Sequence, residues 1–539
     1  KIQSLISEYN CIKINVNEII YKIMLIFSKL FLIYLNLFII FFSSLGYGIF
    51  FRRNILRSTS PCNIFEIYIL SIPLLLSIGF FLHFLLPINY YVSSLIVVVG
   101  FILLYLNKNY IILDKKNILL IFLLLIVFLP LLLGSSEHGD FYYHHLPYLN
   151  LVEKFKIIFG LVNFNDVLAN PYMSWFNYSS LFGIPFFSKF KYIFLLNYLF
   201  FLSFIAYLYL DIKNNDKLDL KIINFFLIVL SLSVFSKIKN HGADVPPQLF
   251  ILLSFRYIYE FLKYNELVNN KILIKIILFL VVAIILRINS VFIFPLLLIA
   301  LFNFLKNIEN FTNNLRSVIF IFVLTIFFVL KNLINTGCLV YPVKSLCFDD
   351  EIDWAISKEI TTKRVDMLEA ISKGWMYYAK SIQPTNNKFI WNPNEEIMNH
   401  DNFLKKGVKF WIYYWIKDHD LQRIYNVLLI HIFLVVVLIS FSKFNRKKSV
   451  LFENNNIFLI LTLLSCTVFW FLKTPQTRYV GYSILICFCT LLSVYCLSYF
   501  EIQKKIFSRK IFNIFVFTIC FLNIIENLPK TIGNIKNNF

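Results

Sequence analysis

Apolar residues in this chain come in long unbroken runs rather than in alternation. Runs of about 18–22 such residues are long enough to cross a hydrocarbon core as helices. They recur at 25–50, 65–87, 90–107, 117–134, 190–211, 221–238, 246–263, 272–288, 290–306, 317–334, 424–442, 457–472, 479–498 and 511–527. The alternating strands of an outer-membrane barrel are absent. The pattern predicts an all-α, polytopic transmembrane helix bundle of about 12–14 spans. Residues 176–187 read as a half-inserted piece, and the turn at Asn289 is tight. The chain divides into a tail at 1–24, too polar at its start for a signal peptide, and a transmembrane core at 25–334. A loop region at 335–423 and C-terminal spans at 424–539 follow.

Composition agrees with this, since 59% of the 539 residues are hydrophobic and only 15% are charged. A formal net charge of +21 would suit nucleic acid. Its distribution argues against that partner. Arg52, Arg53 and Arg57 follow the first span, and Lys108, Lys115 and Lys116 the third. Lys213 and Lys217, then Lys443, Arg446, Lys447 and Lys448, then Lys504, Lys505, Arg509 and Lys510 follow later ones. Every second loop is basic, so these face the cytoplasm by the positive-inside rule. The loops 135–175, 239–245, 335–423 and 473–478 then lie outside, as does the N-terminus. Nearly all the polar chemistry falls on that one side.

The stretch 134–175 gathers most of it. Glu137, His138, Asp140, His144 and His145 crowd the end of a span. Residues 146–158 then form an amphipathic segment with Leu149, Val152, Phe155 and Phe159 on its apolar stripe, suited to lying in the interface. Asp140 at such a mouth can serve as a general base; the plainer reading is a solvated cap. Three imidazoles beside an acid could hold a divalent metal. No zinc spacing is present, so interfacial or substrate-contacting histidines stand beside that reading.

Other outer groups join them. Asp244 precedes Pro246 and Pro247, either capping a helix or facing Asp140 as a second acid. Arg287 and Lys331 end two spans, where they snorkel or contact a phosphate or hydroxyl. Arg256 and Glu260 read as a structural pair at the cytoplasmic end. Arg478 lies in a proline turn and suits a bidentate phosphate contact or a headgroup. Cys338 and Cys347 sit on the oxidising side, where a bond between them would clip the loop. The nine cysteines show no metal-type spacing.

The order of these pieces resembles the GT-C superfamily of polyprenyl-phosphate-sugar-dependent membrane glycosyltransferases, and uncharacterised bacterial membrane proteins of that type. The matching residues are Asp140 with His145-Leu146, Gly160-Leu161-Val162-Asn163, Ser174-Trp175-Phe176, Gly337 through Tyr341-Pro342, and Pro475-Gln476 with Arg478-Tyr479. A second acid adjoining Asp140 is missing. The resemblance implies an inverting transferase of the bacterial cytoplasmic membrane with its active face outside. It would take a polyprenyl-phosphate-linked sugar and a glycan, lipid or protein acceptor, with membrane lipid around it. Asp140 would be the base. His138, His144, His145, Asp244, Arg287, Lys331, Tyr341, Arg478 and Tyr479 would bind substrate. Trp375, Trp391, Trp411 and Trp415 would stack on sugar, or belong to an interfacial belt. No cofactor is implied with certainty. A lipid-linked glycan flippase, or an O-antigen-type polymerase or ligase, are the alternative readings.

Overall fold

The computed structural model describes residues 30–58, 63–110, 123–128, 140–184, 192–235, 243–264, 270–306, 312–349, 351–382, 399–418, 421–440, 442–444 and 454–502, with a few single positions besides. The tail at 1–24 (apart from two single positions), most of the span at 117–134, Glu137, His138, Trp391 and the span at 511–527 lie outside the described residues.

The described helices are α1 Leu30–Ile55, α2 Ile64–Leu85, α3 Tyr90–Leu106, α4 Leu146–Lys154, α5 Ser174–Ser180, α6 Tyr192–Asn214, α7 Leu218–Phe235, α8 Val245–Lys263 and α9 Asn270–Leu286. Then come α10 Phe294–Leu305, α11 Leu315–Thr336, α12 Lys358–Ser372, α13 Trp375–Ile382, α14 His400–Lys405, α15 Val408–Asp418, α16 Leu421–Ser440, α17 Asn454–Lys473 and α18 Tyr482–Ser498. A three-residue antiparallel ladder joins β1 Ser442–Phe444 to β2 Phe500–Ile502. The chain is all-helical in character, and seven described helices are long and apolar enough to cross a membrane. α3, α16 and α17 add shorter apolar helices.

Two kinds of helix make the bundle. α2, α6, α7, α8, α9 and α18 bury most of their side chains. Around them, several helices expose apolar stripes at helical spacing. On α3 the stripe is Tyr91, Leu95, Val98, Ile102 and Tyr105; on α11 it is Ile319, Phe322, Ile326 and Leu330. α16 and α17 do the same with Leu429, Ile432, Val436 and with Leu461, Leu464, Val468. Stripes of this extent are untenable in water but are what a helix presents to lipid. The chain has the build of a membrane protein.

The basic ends of the helices gather at one end of the bundle. Lys271 donates to the Arg57 carbonyl and Ser317 to that of Ile55, while Arg53 reaches Asn107. The pair Arg256–Glu260 stands there at 2.5 Å, and Asp211 closes on the same guanidinium at 2.6 Å. Glu66–Lys275 at 2.5 Å and Asp219–Lys263 at 2.6 Å complete this end. Each buried charge there has a partner, as low polarity demands.

At the opposite end, α12 to α15 form a small helical unit with its own core of Ala370, Trp375, Tyr378, Ala379, Phe403, Trp411 and Trp415. The helix-like runs over 367–379 and 403–416 are each broken. Gly374 (φ 91°) and Gly407 (φ 80°) take left-handed backbone that ends one helix and starts the next. The described tryptophans are buried core rather than stacking platforms: Trp375 and Trp411 are each 2% exposed.

Candidate functional site

Four chain segments meet at the end of the bundle away from the basic loops. The first is the π-helical turn Phe141–His145 that leads into α4. Asp140 stands at its start, and its carboxylate does not cap the turn. α4 itself ends at Lys154, short of the expected 158. Leu149 and Val152 point into the core, whereas Phe155 and Phe159 are exposed. Beyond it Gly160 (φ 62°) turns the chain, donates to the Ile334 carbonyl, and leaves no room for a Cβ beside Trp354. Asn163 donates to the Trp354 carbonyl at 2.8 Å. The Gly160–Asn163 piece is therefore a joint between the first outer loop and the segment after α11.

The second and third segments are the start of α8 and the end of α9. Asp244 precedes Val245 without capping the helix. It instead pairs with Arg287 at 3.0 Å. Arg287 has left α9 for extended backbone (φ −148°, ψ 110°), which throws its side chain outward. Its guanidinium lies 3.8 Å from the centroid of the Tyr479 ring and 5.0 Å from that of Tyr172. Such stacking suits a planar cation in a partly dry place.

The fourth segment is the turn Thr477–Gly481 at the head of α18. The Pro475 carbonyl accepts from the Trp415 indole at 2.7 Å, which fastens this turn to the small helical unit. Gln248 on α8 donates to the carbonyls of Arg478 and Asp244 at 2.8 Å and 3.1 Å, and accepts from the Ser483 amide. One amide side chain thus sets Asp244 and Arg478 relative to each other. Arg478 itself bonds to the Tyr479 hydroxyl at 2.9 Å. It is exposed to solvent although protein surrounds it closely, as a group lining a concavity would be.

Electrostatics ties the four segments into one cluster. Asp140 acts on His145, Tyr172 and Arg478; Asp244 acts on His145 and Arg478. His145 is held down at about 4, first by burial and then by His144 and Arg287, against the pull of Asp140 and Asp244. It is a neutral imidazole at pH 7, its ring tilted against that of Phe176 at 4.8 Å. Burial pushes the Tyr172 phenol up, with Arg287 opposing. Asp140, His144, His145, Asp244, Arg287, Arg478 and Tyr479 therefore come together, joined by Tyr172.

Two of the expected groups stand apart. Lys331 is linked to His145 through the rings of Phe176 and Tyr148 rather than by direct contact. Tyr341 is fully buried, its phenol pushed up to about 12 by burial and Asp166. It connects to the cluster through Arg364, which pairs with Asp166 at 3.0 Å and also acts on Tyr172. Cys338 and Cys347 are bonded to each other beside it. Among the described residues no three of His, Cys, Asp and Glu come close enough to hold a metal ion. Sequence reasoning missed Tyr172, Arg364, Asp166 and Gln248. Arg364 looks like any surface charge on an amphipathic helix, and Gln248 like any residue in a greasy run.

The model of a family described as "Domain of unknown function (DUF8201)" matches residues 30–486, most of the chain. The chain belongs to this family. Every residue of the cluster falls inside the matched region, so the cluster is part of the domain that defines the family. No curated protein and no solved structure matches the chain.

Proposed function

We propose that this family member is an integral membrane glycosyltransferase of the bacterial cytoplasmic membrane. It takes a sugar from a polyprenyl-phosphate donor and passes it to a glycan, lipid or protein acceptor of the cell envelope, on the extracytoplasmic face. The observation that carries the reading is the convergence of Asp140 on Arg478 at one end of the bundle. Arg287 is neutralised by Asp244 and Arg364 by Asp166. Among the described residues the Arg478 guanidinium has no carboxylate in ion-pair contact, and it donates one hydrogen bond, to the Tyr479 hydroxyl. A guanidinium with unspent donors in a cleft is a seat for one phosphate group. A carboxylate within its field can take a proton from an attacking hydroxyl.

In this reaction the acceptor oxygen forms a bond to the anomeric carbon as the bond from that carbon to the phosphate oxygen breaks. Asp140 receives the acceptor proton, and polyprenyl phosphate departs with the bonding electrons. Arg478, with Arg287 behind it, stabilises the charge that develops on the departing phosphate. His145, uncharged at pH 7, orients a sugar hydroxyl. The positive charge developing at the anomeric carbon is of the oxocarbenium kind known from glycoside cleavage. The lipid tail lies among the apolar helices.

The test is bond cleavage. Purified protein, given a polyprenyl-phosphate sugar labelled in the lipid and a membrane extract as acceptor, is expected to release labelled polyprenyl phosphate. Movement of the intact donor across a vesicle membrane without that release would assign the chain to transport instead. The envelope glycans of a deletion strain should lack one sugar residue.

A further inference from the structure

Lys331 is left over from the proposed reaction, and its surroundings are unusual. It sits near the outer end of α11 and is 2% exposed. Its Nζ has one hydrogen-bond partner, the Ser174 hydroxyl at 3.4 Å, and no carboxylate in ion-pair contact among the described residues. The rings of Tyr148 and Phe80 lie 5.5 Å and 5.6 Å from it. The uncharged polar groups nearby bond mostly to one another. Tyr148 donates to Asn177, Asn177 donates to Nδ1 of His83, and Ser174 donates to the Pro171 carbonyl. None of these groups brings a negative charge to the lysine. A lysine buried near the end of a membrane helix without a counter-charge is expensive, and such a group is a functional-site candidate by default.

The way in is also marked. One turn from Lys331, Phe327 meets Phe81 and Phe84 of α2 at 6.0 Å and 5.8 Å. Phe81 is half exposed on the surface that faces lipid. The seam between α2 and α11 therefore carries an aromatic wall, with the lysine one turn further along α11. A cation held between membrane helices attracts the phosphate of an anionic lipid. We propose that this seam seats an anionic lipid, its phosphate on the Lys331 ammonium and its chain along Phe81, Phe84 and Phe327. The seat is distinct from the Arg478 cleft and does not depend on the transfer reaction.

The test is the melting temperature of the full chain in neutral detergent with phosphatidic acid, phosphatidylcholine or inorganic phosphate added. Phosphatidic acid should raise the Tm in a saturable way, and the other two should not. Lys331→Met should lose that shift. Without lipid it should melt no lower than the wild type, because it removes an unpaired buried charge and keeps the stem's volume. Lys331→Arg should keep the shift. A full shift in Lys331→Met would overturn the proposal, as would an equal shift with inorganic phosphate, which marks a free-anion site. Lipid-free melting of Lys331→Met far below the wild type would overturn it too, since the lysine would then be structural. Lys331→Gln provides the same readout if the methionine variant does not fold.

Discussion

At the scale of single residues, two positions make the account quantitative. Gly160 holds left-handed backbone against Trp354. Gly160→Ala should cost about 1–2 kcal/mol for the backbone alone, with the contact to Trp354 added, read as a fall in Tm. An unchanged Tm would mean that the joint between the outer loops carries no load. His145 sets a pH dependence. Its folded value of about 4 lies below its ordinary 6.5. The unfolded chain therefore binds the proton first as pH falls. The contribution of this group is intact above pH 6.5 and shrinks as pH drops, reaching roughly 3 kcal/mol of loss near pH 4. His145→Asn should flatten that part of the stability–pH curve, and the difference between the two curves isolates the group. Asp140, His145, Arg287 and Arg478 were legible in the sequence because charged or titratable residues are rare at the ends of apolar runs. Tyr172 was not, because an aromatic in a loop of this chain is one among many.

At the scale of elements, apolar run length located the helices well. The expected spans at 65–87, 90–107 and 221–238 correspond to α2 at Ile64–Leu85, α3 at Tyr90–Leu106 and α7 at Leu218–Phe235. The pattern failed in the outer unit, where hydrophobic periodicity continues across Gly374 and Gly407 but the backbone does not. Both breaks carried a visible signal, a glycine inside a helical pattern. What no pattern could show is which elements share a tie. Gln248 binds α8 to the Arg478 segment through one donated and one accepted bond, and donates a second to the Asp244 carbonyl at the head of its own helix. Gln248→Leu removes the bonds to the Arg478 carbonyl and the Ser483 amide, each loss costing about 1–3 kcal/mol if the group stays dry. The cleft should then lose its register. The expected result is a rise in the KM for the donor larger than the fall in kcat, with both unchanged as the contrary outcome.

At the scale of the whole molecule, charge asymmetry and site placement agree. The basic ends of the helices meet at one end, and the cluster around Asp140 stands at the other. If the basic end is cytoplasmic, a membrane-impermeant maleimide added to intact cells should label a Lys363→Cys variant above the parent background. A Lys108→Cys variant should stay unlabelled until the cells are opened. The reverse pattern would put the cleft on the cytoplasmic side and remove the case for an envelope acceptor. The central claim, that Asp140 takes the acceptor's proton, meets its most direct test in one rate. Release of polyprenyl phosphate by purified Asp140→Asn, shown to be folded by an unchanged melting curve, should be about 10²–10⁴-fold slower than by the wild type. Equal rates from the two proteins would contradict the account.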